Sequence, residues 1–223
     1  MKKIKALSLV LSAVLIFSGC GASNTLKGGL IGAGSGAVLG GIVGKLAGNT
    51  VIGAAVGTAV GTTAGVIIGK KMDKAAAKAK AIEGASVQTV TDVNGLAAVK
   101  VTFDGGILFP INSNTLNSTS KAALTKFAQV LAEDPTMDIA VFGHTDNTGT
   151  LAVNQKVSDA RANSVASYLK QSGVSASQFK YIEGKNYQEP IADNSTELGR
   201  AQNRRVEVYM FASQEMIKQA QAN

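Results

Sequence analysis

Two side chains of opposite charge, Asp146 and Arg161, stand fifteen positions apart in this 223-residue chain. Asp146 falls in a polar string, Gly143-His-Thr-Asp-Asn-Thr-Gly149, that follows the apolar run Met137 to Phe142. Arg161 falls in a helical pattern from about Leu151 to Gln171, where Asn154 and Ser158 share its face by offsets of seven and three. A carboxylate and a guanidinium a few ångströms apart can do one of two things. They can close on each other as a structural salt bridge. They can also read a zwitterion, the guanidinium forking onto its carboxylate while the Asp accepts from its ammonium. A carboxyl beside an arginine has a depressed pKa and makes a poor general acid.

Other reactive groups are scarce. His144 is the single histidine and Cys20 the single cysteine, so no zinc site or nucleophilic triad can be assembled, and no metal, cofactor or enzymatic activity is expected. A glycosidase-like carboxylate pair is the one catalytic arrangement that composition leaves open. His144 reads as a satisfied structural residue. Arg200 and Arg205 read as salt-bridged scaffolding, while Arg204 either faces the same pocket as Asp146 or orders its loop. The formal charge of +7 falls by three once Lys2, Lys3 and Lys5 are removed with an export signal. A modest basic excess, with no basic run interleaved with stacking aromatics, suits an anionic membrane or wall better than nucleic acid.

The elements that must position these groups are legible from periodicity. Val87 to Asp92 and Leu96 to Phe103 alternate as strands around Asn94-Gly95, a tight-turn pair. Ser118 can cap a helix carrying Leu124, Phe127, Val130 and Leu131, which Asp134-Pro135 stops. Met137 to Phe142, Phe179 to Glu183 and Arg205 to Phe211 read as strands, and Ser172-Gly173 ends the long helix. This order predicts an α/β fold, a two-layer sandwich of a mixed sheet with two helices on one face.

The polar motifs then become specific as a set. Gly143 to Gly149, Asn154, Ser158-Asp-Ala-Arg161-Ala162, Pro190 to Asn194 and Gly199 to Val206 together resemble the OmpA C-terminal-like family. The resemblance implies non-covalent binding of the diaminopimelate of the peptidoglycan stem peptide, whose ammonium and carboxylate sit on one carbon. It makes Asp146 and Arg161 the readers of those two charges and Asn112 and Asn154 further polar contacts, with Arg204 a candidate. A flagellar stator carries a similar domain, but that role needs a carboxylate in a membrane helix, and residues 28–69 contain no Asp or Glu.

The N-terminal half obeys different physics. A basic start and an apolar stretch from Ala6 to Phe17 lead to Phe17-Ser-Gly-Cys20, which resembles a bacterial lipobox with Phe where Leu is commonest. Cys20 is therefore the expected lipidation site, and Gly21 in place of an Asp after it implies, by resemblance to enterobacterial lipoproteins, the outer membrane. Glycines recur every four residues from Gly28 to Gly48 and from Gly53 to Gly69. Gly costs about 1 kcal/mol against Ala in a water-exposed helix, whereas in lipid such ladders let helices pack closely. This resembles glycine-zipper families, and self-association through the ladders is a candidate alternative role. The expected organisation is a signal peptide (1–19), a lipidated tether (20–27), a glycine-zipper helical hairpin (28–70), a linker (71–85), the wall-binding domain (86–213) and a tail (214–223). The expected protein is an outer-membrane lipoprotein whose C-terminal domain lies in the periplasm.

Overall fold

The computed structural model describes residues 60–92, 94–109 and 113–223. The lipidation site, the first glycine ladder, the start of the second and Asn112 lie outside the described residues.

Five strands form one mixed sheet: β1 (Ala85–Thr91), β2 (Ala97–Asp104), β3 (Met137–Gly143), β4 (Phe179–Gly184) and β5 (Arg205–Ala212). Their spatial order is β1-β2-β5-β3-β4, with β3 and β4 parallel and the other neighbours antiparallel. The sheet is α/β in character, as the strand and helix periodicities indicate. The alternation sends Val99, Val101 and Phe103, with Val206, Val208 and Met210, into one core beneath the helices. The opposite face gathers Ala98, Ala140, Phe142, Tyr209 and Phe211 into a second, smaller cluster.

The helical layer is larger than two helices. Helix α1 (Thr62–Lys80) precedes the sheet, and the short α2 (Gly105–Leu108) follows β2. The two expected helices are α3 (Ser118–Ala132) and α4 (Leu151–Gln171). Short α5 (Glu197–Asn203) precedes β5, and α6 (Gln214–Gln221) closes the chain. The boundary expected at residue 70 falls inside α1, and its Ala- and Lys-rich half, expected as part of a linker, is helical with one buried face. Ile68, Met72, Ala75, Ala76 and Ala79 are buried in the main core, and Lys71, Lys74 and Lys78 pair with Asp134 and Glu133 at the end of α3. The expected tail is likewise a helix that buries Met216, Ile217 and Ala220. Among the described residues no helix is long and apolar enough to cross a membrane.

Local signals account for the ends. Asn117, one residue earlier than the expected cap, accepts the Ser120 amide through its side chain at 2.8 Å. Thr150 caps α4 by accepting from the Val153 amide at 3.3 Å, and Gly173 ends it at φ +100°. Gly143 permits the approach that sets α4 against the sheet, since a Cβ there would lie 2.2 Å from the Ser158 carbonyl oxygen.

Candidate ligand-binding site

A cavity of about 930 Å³ opens where the β3–α4 loop, α4, α2 and α5 converge. Of the sequence-derived site residues, Asp146, Asn154, Arg161 and Arg204 all line it. Asn112 lies outside the described residues, although Ser113 and Asn114 beside it reach the cavity wall.

Asp146 comes from the loop after β3. That loop is pinned by His144 N–H to the Arg205 carbonyl at 2.9 Å and by Thr145 N–H to the Asn186 carbonyl at 2.9 Å. Its Oδ1 accepts from the Thr148 amide at 2.8 Å, and its Oδ2 accepts from Arg204 Nη1 at 2.6 Å. The cation paired with Asp146 is thus Arg204 and not Arg161. Arg204 extends its other arm to Glu197 Oε1 at 2.9 Å, and Glu197 also takes Arg200 at 2.8 Å. Burial raises the Asp146 pKa, but the Arg204 and Thr148 hydrogen bonds more than offset it, so the carboxyl lies below its ordinary range.

Arg161 is only 7% exposed, yet it has no carboxylate partner among the described residues. Its Nε donates to the Ser113 carbonyl at 3.3 Å, and its guanidinium lies 5.3 Å from the centroid of the Phe109 ring. Burial lowers its pKa, as does the nearby Arg204 charge, while Asp146 opposes both. Arginine nevertheless stays protonated in proteins. Desolvating a cation without a counter-charge is expensive, and an anion entering the cavity would recover much of that cost.

Asn154 donates from Nδ2 to the Thr148 carbonyl at 2.9 Å and so braces the loop that carries Asp146. Ser158, expected on the same polar stripe, instead turns away. Its Oγ accepts the Asn186 amide at 3.1 Å and donates to the Gln155 carbonyl at 2.9 Å. Val157 and Ala160 supply apolar lining on the same side of α4 as Arg161.

His144, expected as a satisfied structural residue, is buried but not satisfied: it is 1% exposed, and among the described residues neither ring nitrogen has a hydrogen-bond partner. It packs behind the site with Nε2 3.8 Å from Glu207, which the buried Arg205 holds at 2.7 Å. Desolvation, reinforced by the Arg205 charge, pushes the His144 pKa down to about 3, so the ring is neutral at ordinary pH. Sequence reasoning also missed Phe109 and Glu197. An aromatic residue directly ahead of Pro110, outside any periodic run, was the available signal for Phe109.

Comparison with known proteins places this arrangement in context. Residues 108–204 match the OmpA family model, and residues 1–73 match that of the YMGG-like Gly-zipper. The chain is 39% identical over 106 residues to Outer-membrane lipoprotein YfiB of Pseudomonas aeruginosa, covering 48% of this chain and 62% of that protein. It is 35% identical over 112 residues to Peptidoglycan-binding protein ArfA of Mycobacterium bovis, covering 50% of this chain and 34% of that protein. These matches span only part of the curated relatives, 46% to 62% of those most similar. Among solved structures it resembles the cell wall anchor of the T6SS from Pseudomonas aeruginosa, with 31% identity and a TM-score of 0.53. That match covers 64% of this chain and 97% of that one.

Proposed function

Residues 108–204 match the OmpA family model, and from that match we propose that the C-terminal domain of this chain holds peptidoglycan without catalysis, through the diaminopimelate of the stem peptide. Arg161 receives the ligand carboxylate and Asp146 its ammonium. A carboxylate has about four lone-pair sites, so Asp146 can accept an ammonium while keeping Arg204 and Thr148. Arg204 acts through Asp146, holding it in place between α5 and the β3–α4 loop. Asn154 braces that loop, and Asn112 is a further polar contact. The observation that carries the reading is the buried Arg161 guanidinium, facing an open cavity with no carboxylate of its own among the described residues.

The names of the relatives support the wider role. One is an outer-membrane lipoprotein, one a peptidoglycan-binding protein and one a cell wall anchor. In this reading Cys20 carries the acyl anchor at the outer membrane and the protein tethers that membrane to the wall. Its partners are then peptidoglycan and lipid, with the glycine ladders available for self-association. The depressed pKa of Asp146 keeps it ionised, which suits an acceptor and not a proton donor.

Two substitutions test the site. Arg161→Ala and Asp146→Asn should each weaken binding to purified peptidoglycan by about 2 kcal/mol or more, some thirtyfold. The double variant should lose much less than the sum, because the two residues serve one ligand group. Arg161→Ala should leave the melting temperature close to wild type. Intact binding with a clearly lowered melting temperature would make Arg161 scaffolding and end the assignment.

A further inference from the structure

The cavity carries more positive charge than one zwitterion uses. Among the described residues, its charged lining consists of the cations Lys156, Arg161, Arg200 and Arg204 and the anions Asp146 and Glu197. Glu197 bridges Arg200 and Arg204, and Asp146 takes the other arm of Arg204. Arg161 and Lys156 are left without a carboxylate among the described residues. A zwitterion held between Asp146 and Arg161 answers the first of these and leaves Lys156 open.

Helix geometry gives Lys156 a direction. Two adjacent rows of α4 line the cavity, an inner row of Asn154, Val157 and Arg161 and an outer row of Val153, Lys156 and Ala160. Arg161 is buried, whereas Lys156 is exposed. Five residues of helix separate them by about 7.5 Å along the axis. Lys156 is exposed and also borders the cavity, where Glu197 and Asp146 already hold Arg200 and Arg204 and leave no carboxylate for it among the described residues.

Resting on the diaminopimelate reading, we propose that Lys156 reads a second carboxylate of the same peptide, the free α-carboxylate of the glutamate that precedes diaminopimelate. That glutamate is joined through its side-chain carboxyl, which leaves the α-carboxylate charged. Amidation there removes the charge, so Lys156 makes the site discriminate between free and amidated wall peptides.

The test is a titration of the full-length protein, in detergent, with two disaccharide-tripeptide muropeptides that differ only in amidation of that carboxyl. The free form should bind about fivefold more tightly at low salt, and the preference should shrink as salt rises. Lys156→Gln should bind both forms alike, and Lys156→Arg should retain the preference. Equal affinities in the wild type, or a preference that survives in Lys156→Gln, would overturn the proposal. Binding that depends on Arg161 but ignores amidation would overturn the Lys156 assignment alone. Absence of binding by either muropeptide, or binding indifferent to Arg161→Ala, would overturn the diaminopimelate reading and this inference with it.

Discussion

Asp146 divides its carboxylate between the Arg204 guanidinium and the Thr148 amide, and that division sets how the site responds to pH. A group whose folded pKa is depressed keeps its charge, and the interactions that need it, until pH falls through the lowered value. His144, directly behind the loop, is already neutral through that range. Wall binding should therefore stay level from about pH 8 to pH 5 and fall only below roughly pH 4, the ordinary carboxylate range. A pull-down series across this range checks it, and loss of binding between pH 7 and pH 5 would contradict it. Asp146 and Arg161 were legible because both sit at fixed places in motifs, a loop after a strand and one helix face. The Arg204 partnership was not. It spans 58 residues and exists only because α5 brings residues 197–204 back over the loop.

Helix α1 is the element that the sequence describes least well. Most strands and the two main helices announce themselves through Val, Ile, Leu and Phe at period two or at three and four. Beyond Met72 the buried face of α1 consists of Ala75, Ala76 and Ala79, whose small side chains bury little area each and look like spacer composition beside their lysines. Close approach of this alanine face seats Ile68 and Met72, both fully buried, against the sheet. Met72→Ala should cost about 2–5 kcal/mol, the range for truncating a buried large aliphatic side chain. Urea unfolding of the full chain measures it, and an unchanged midpoint would return residues 71–80 to the status of a linker. Gly143 carries a comparable constraint on the site side, because the Ser158 carbonyl leaves no room for a Cβ and so holds α4 close to β3.

At the scale of the described residues, α1 joins the end of the second glycine ladder to the sheet of the C-terminal domain through only a short turn. Gly65 and Gly69 lie in the same helix as the core residue Met72, and only residues 81–84 separate that helix from β1. In the tethering reading, the packed elements from Val60 onward form the wall-proximal part of the link between membrane and wall. The claim on which that reading rests is recognition of diaminopimelate, and co-sedimentation measures it most directly. Full-length protein in detergent is spun with purified diaminopimelate-containing peptidoglycan, alone and with increasing free diaminopimelate or 1,5-diaminopentane, which lacks both carboxylates. The protein should pellet with the wall and be released by diaminopimelate in proportion to its concentration, while the diamine leaves it bound. Failure to pellet, or pelleting that free diaminopimelate does not reduce, would contradict the account.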